Sequence, residues 1–101
     1  MKKVFISQHM NGLTDEDILA NREYAIAEIK KRVGDDVQIL ESFFSDYNPK
    51  SGSIPLKYLS KAIEILADAD VVYFCPNWET ARGCKIEHQC AVEYGIDRIY
   101  G

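Results

Sequence analysis

Apolar residues along this chain change their period repeatedly, and the changes divide it into short strands alternating with helices. Lys2–Ser7 is a compact run of strand formers that gives way to a polar loop over residues 8–13. Thr14 is a good helix cap, Asp15, Glu16 and Asp17 complement a first-turn dipole, and Ile18, Arg22, Ala25, Ile26, Ile29 and Val33 recur at helical spacing until Gly34 ends the helix. Residues 37–40 read as a second strand. Residues 41–54 form a long loop that carries Phe43, Phe44 and Tyr47 among turn formers and is long enough to close over a ligand. Pro55 suits a first helical turn, and Leu56, Leu59, Ile63 and Leu66 extend that helix to about residue 67. Residues 70–75 are almost wholly apolar, as a central parallel strand covered on both faces requires. A turn over 76–80, a helix over 81–94 closed by Gly95, and a last strand near 98–100 complete the chain.

This β-α-β-α-β-α-β order predicts a single α/β domain over residues 1–101: a flavodoxin-like or Rossmann-like three-layer sandwich around a parallel sheet of about four strands. In such folds ligands sit beyond the carboxyl ends of the strands, where the strand order reverses. The loop after strand one, the loop after strand two and the start of the last helix are therefore the segments to watch.

The last helix holds the most informative residue. At helical spacing Glu87 shares a stripe with Gly83, Ile86, Cys90, Ala91 and Tyr94, while Lys85, His88 and Gln89 point elsewhere. Withdrawing a carboxylate from water costs several kcal/mol, on the order of the loss of a buried ion's hydration, unless it is bonded or titrates, so Glu87 is expected to have a partner or a chemical role. Arg82 and Gly83 stand at the start of the same helix, where free amides, a guanidinium and a close backbone approach make a natural anion site. Ser7, Gln8, Met10, Asn11 and Gly12 are the candidate ligand contacts of the first loop, and Trp78 and the Phe43, Phe44, Tyr47 cluster are candidates to stack a nucleobase.

Composition narrows the partners. With 101 residues and 47% hydrophobic content the chain supports one small core, which association with further copies would help, so a homo-oligomer is expected. A net charge of −4 offers no broad cationic surface for a nucleic-acid backbone. No apolar stretch approaches the roughly 20 residues that span a bilayer, and the first residues turn polar too soon for a signal peptide; a cytoplasmic protein is expected. Cys75, Cys84 and Cys90 form no CxxC pair and read as thiols of the interior, with Cys84 and His88 too few to hold a metal. Neither a GxGxxG nor a GxxxxGK[ST] motif is present, so dinucleotide and P-loop readings lack support, and no cofactor is expected.

Three segments carry a resemblance: Ile6-Ser7-Gln8-His9-Met10-Asn11-Gly12, Ala69-Asp70-Val71-Val72-Tyr73-Phe74 and Ala81-Arg82-Gly83-Cys84-Lys85-Ile86-Glu87-His88. Together they resemble a group of small phage and bacterial proteins that looks like a compact branch of the nucleoside 2-deoxyribosyltransferase superfamily. The resemblance implies that Glu87, in a Gly-x-x-x-Glu helix start with Gly83, is the nucleophile of N-glycosidic bond cleavage or deoxyribosyl transfer on a nucleoside or its 5′-monophosphate. It also implies that Gly83 lies at the phosphate. Two positions depart from the pattern: Ala62 stands where the relatives place an aspartate that helps the base leave, and Ala81 where they carry Ser or Asp. Asp70 reads as a strand-opening structural residue. The alternative is a protein that holds a nucleotide or nucleotide signal without turnover.

Overall fold

The computed structural model describes residues 1–44 and 46–101; position 45, within the expected long loop, lies outside the described residues. The elements are β1 (Lys2–Ser7), α1 (Asp15–Val33), β2 (Val37–Ile39), α2 (Ile54–Leu66), β3 (Val71–Phe74), a 3-10 turn (Trp78–Thr80), α3 (Arg82–Glu93) and β4 (Asp97–Tyr100). The expected boundaries differ from these by a residue or so at strand and helix ends, where ladders fray.

All four strands are parallel, in the order β2-β1-β3-β4. Alternation along β1 sends Val4 and Ile6 to one face and Phe5 to the other. Val4, Ile6, Val71 and Tyr73 pack under Ala25 and Ile29 of α1, while Phe5, Val72 and Phe74 pack under Ala62 and Leu66 of α2 and Ala91 of α3. The result is the three-layer, flavodoxin-like α/β sandwich. Every residue of β3 is buried, as its unbroken apolar run requires.

Local chemistry fixes the element ends. Thr14 Oγ1 accepts the Asp17 amide at 3.1 Å, and three acids follow in the first turn of α1. Gly34, at φ +110°, turns the chain out of α1 into β2. Asp70 clamps the start of β1: its carboxylate accepts the Lys3 amide at 2.7 Å and its own amide donates to the Lys3 carbonyl at 2.8 Å.

The strand order reverses at β1. Ser7 and Phe74, the last residues of β1 and β3, stand in register, and the Cys75 amide donates to the Ser7 carbonyl at 3.0 Å. The crevice above this pair is where the fold offers a binding site.

A candidate active site at the switch point of the sheet

Glu87 is 7% exposed on the sheet side of α3, and its Oε1 accepts a hydrogen bond from Ser7 Oγ at 2.6 Å. Helix and strand are thus tied across the switch point by a short, charge-assisted bond. Burial pushes the Glu87 carboxyl up to about 7, opposed by the Ser7 hydroxyl, which stabilises the charged form. Near neutral pH the group sits between acid and carboxylate.

A cleft of about 1040 Å³ opens above Glu87. The first loop contributes Gln8, His9, Met10 and Asn11, the loop after β2 contributes Ser42, Phe43 and Phe44, α2 contributes Tyr58, Leu59 and Ala62, and the start of α3 contributes Arg82, Gly83 and Cys84. Gln8 is buried; its amide donates to the Ile18 carbonyl at 3.0 Å, and its Oε1 has no partner among the described residues. Arg82 is exposed at the rim and makes no ion pair among the described residues. The first turn of α3 has no side-chain cap, because Ala81 at the cap position offers no acceptor. A Cβ built on Gly83 would meet only Leu59 Cδ1, at 3.9 Å, so packing does not demand glycine there. A smaller cavity of about 310 Å³ shares Gln8 and His9 on the α1 side but contains no carboxylate.

Several sequence-derived candidates are placed differently from expectation. Trp78 does not line the cleft: it stacks on His88, ring centroids 4.2 Å apart, and leans on Phe74 and Tyr100. The 3-10 turn that carries it follows Asn77 in the left-handed region, φ 68°, which turns the indole toward β4. His88, expected in solvent, is half-buried in this cluster and bonds the Tyr100 hydroxyl at 2.8 Å. Ser7 lies under Glu87 as its support and does not line the cleft, and Gly12, at φ +82°, serves the turn closed by the Leu13 amide on Met10. The buried line of α3 is Cys84, Glu87 and Ala91; Ile86 and Tyr94 face outward, so the apolar stripe read from spacing is rotated by about one residue. Tyr58 and Trp78 have aromatic partners within the chain, while Tyr94, 83% exposed, has none among the described residues.

The Cys75 and Cys84 thiols are held protonated. Burial lifts Cys75 to about 12 and Cys84 to about 11, the latter against a bond from Ser7 and with Glu87 adding to the rise. Among the described residues no group of three or more His, Cys, Asp or Glu side chains is placed to hold a metal ion. No helix is long and apolar enough to cross a membrane.

Spacing alone could not reveal the buried network beside the cleft. Arg22 of α1 is 7% exposed and donates to Ser42 Oγ at 3.0 Å and the Leu40 carbonyl at 2.7 Å; Ser42 Oγ donates to the Ile6 carbonyl at 3.2 Å. The loop after β2 is thereby fastened to β1, one residue before Ser7.

Fold and site together define a small parallel α/β domain with a titrating carboxylate at its switch point. Its residues 2–100 match the family described as a domain of unknown function, DUF4406, and the chain belongs to that family. No curated protein and no solved structure matches it.

Proposed function

We propose that the protein cleaves the N-glycosidic bond of a nucleoside, deoxynucleoside or 5′-monophosphate, or transfers the sugar to a second base, with Glu87 as nucleophile. The observation that carries this reading is one buried carboxylate at the switch point that lines the cleft, with Ser7 bonded to one oxygen and no hydrogen bond to the other among the described residues. A carboxylate attacking the anomeric carbon forms a covalent glycosyl ester, and water or an acceptor base then takes the sugar. Because the nucleophile must be ionised, kcat/KM should rise with pH through about 7, the value to which burial pushes Glu87. Phe43 and Phe44 replace Trp78 as the aromatic surfaces for a base.

Arg82 and the uncapped amides of α3 would receive a 5′-phosphate. Monophosphates should then bind more tightly than nucleosides by roughly 1.5–3 kcal/mol, about tenfold or more. Arg82→Ala should erase most of that preference, with Lys85→Ala as a neutral control because Lys85 lies outside the cleft. Calorimetry giving equal affinities for nucleoside and monophosphate would remove the phosphate from the site.

A second reading, nucleotide binding without turnover, is favoured by one observation: Ala62, buried and lining the cleft, brings no proton to a departing base. Incubation with nucleosides and monophosphates separates the two. Free base supports the enzyme, and a thermal shift with no product supports the binding protein.

We also propose self-association through exposed apolar side chains of α2 and α3, among them Leu56 and Ile86, 60% and 38% exposed. Light scattering should give at least a dimer at micromolar concentration; a monomer mass would contradict it.

A further inference from the structure

We propose that the cleft acts on N-glycosides whose base is cationic when bound, such as a quaternised purine or an N-glycosylated pyridinium, so that the base departs as a neutral molecule. This rests on Glu87 as nucleophile and names the substrate class of that site.

Breaking the bond to a neutral nucleobase leaves an electron pair on a ring nitrogen, and the departing base needs a proton from a donor within about 3 Å. Among the described residues lining the cleft no buried side chain offers a free acidic proton: the Gln8 amide and the Ser42 and Thr80 hydroxyls donate to backbone carbonyls, and Asn11 and Ser53 carry no acid. Phe5, Phe43, Phe44, Leu59 and Ala62 have no exchangeable proton. The Tyr58 hydroxyl is committed to the Tyr47 carbonyl, and the Cys84 thiol is buried beside Ser7. His9, Asp15 and Arg82 stand exposed at the rim. Among the described residues Glu87 is the one acid buried in the cleft, and as nucleophile it must already have lost its proton.

The same lining suits a cation. Phe43 and Phe44 bring aromatic rings to it and Glu87 a carboxylate, the two kinds of group that bind a positively charged ring. The aromatic cluster already engages one cation in this way: the Lys61 ammonium lies 5.3 Å from the centroid of Phe44 and 4.7 Å from that of Tyr47, and Lys61 is not among the residues lining the cleft. A cationic ring near Glu87 also favours its ionised form, so the substrate itself would help to generate the nucleophile.

The chemistry then balances without an acid. A Glu87 carboxylate oxygen bonds to C1′ as the C1′–N bond breaks, and the electron pair of that bond neutralises the positive ring nitrogen. Water next adds its oxygen to C1′, the Glu87 oxygen leaves with its electron pair as carboxylate, and the spare proton of the water passes to solvent.

The test measures base release by the wild-type protein from three substrates: nicotinamide riboside, N7-methylguanosine and guanosine, each rate divided by its spontaneous rate at the same pH. The expected result is a rate enhancement for one or both cationic substrates at least about 10²-fold above that for guanosine, the size of a missing general acid. Which cationic arm leads identifies pyridinium or purine as the preferred base. Equal or greater enhancement for guanosine overturns this inference and leaves the glycosidase reading standing. No release from any of the three, nor from the neutral deoxynucleosides, overturns both.

Discussion

Replacing Glu87 by Gln is expected to remove base release by at least about 10³-fold and, in the same protein, to raise stability above neutral pH. Glutamine keeps the side-chain shape, and its carbonyl oxygen can still accept the Ser7 hydroxyl, so the fold should be unchanged. The stability gain follows from the direction in which burial moves the carboxyl. Folding raises it from its ordinary 4.5 to about 7, so the folded state holds a proton that the unfolded chain has lost between those values. Wild-type stability should therefore decline as pH rises from about 4.5 to about 7, by up to about 3 kcal/mol, and stay low above that. The glutamine variant lacks this decline. Thermal melts of both proteins from pH 5 to pH 8 should nearly coincide at the acid end and diverge by several degrees at the other. Parallel curves would show that folding does not raise the Glu87 pKa, and a variant less stable at pH 8 would show that the carboxylate is stabilising where it sits.

The second large effect is expected at Arg22. Arg22→Ala should destabilise the fold by about 2–4 kcal/mol, because it strips two hydrogen bonds from a buried guanidinium site and leaves the Leu40 carbonyl without that donor. Burial draws the Arg22 pKa down, partly offset by Glu41, whose carboxylate lies 3.8 Å away but is 80% exposed. The hydrogen bonds, rather than that screened ion pair, therefore carry most of the effect. Arg22→Met restores apolar bulk without the bonds and should recover only part of the loss. Since Ser42 lines the cleft, the alanine variant should also bind ligand more weakly than wild type. Denaturant melts showing a loss under about 0.5 kcal/mol would place Arg22 among dispensable surface groups.

Much of this architecture is legible in the sequence because it rests on local signals. The Thr14 cap, the glycine after α1, the wholly apolar β3 and the alternation of periods each specify an element, and together they give a parallel sheet. The position of Glu87 at the switch point follows from the same topology. What spacing does not show is contact across the fold. The Ser7 to Glu87 bond joins residues far apart in sequence, and the fastening of Ser42 by Arg22 depends on a loop conformation no periodicity describes. Arg22 did leave a trace, as a charged residue on an otherwise apolar helix stripe, without revealing its partners. Spacing misplaces Trp78 for a related reason: a left-handed residue one position earlier redirects a side chain, and Asn77 is compatible with many turns.

The activity proposed for the site turns on a covalent bond between Glu87 and the sugar. It is tested most directly by incubating the protein with a cationic N-glycoside bearing fluorine at C2′ in place of a hydroxyl, which slows hydrolysis of a glycosyl ester, and measuring intact mass followed by peptide mapping. One sugar should be added per chain, mapped to the peptide containing Glu87 and absent from Glu87→Gln. Base release with an unmodified chain under conditions that trap esters, or a sugar found on any other residue, would contradict it.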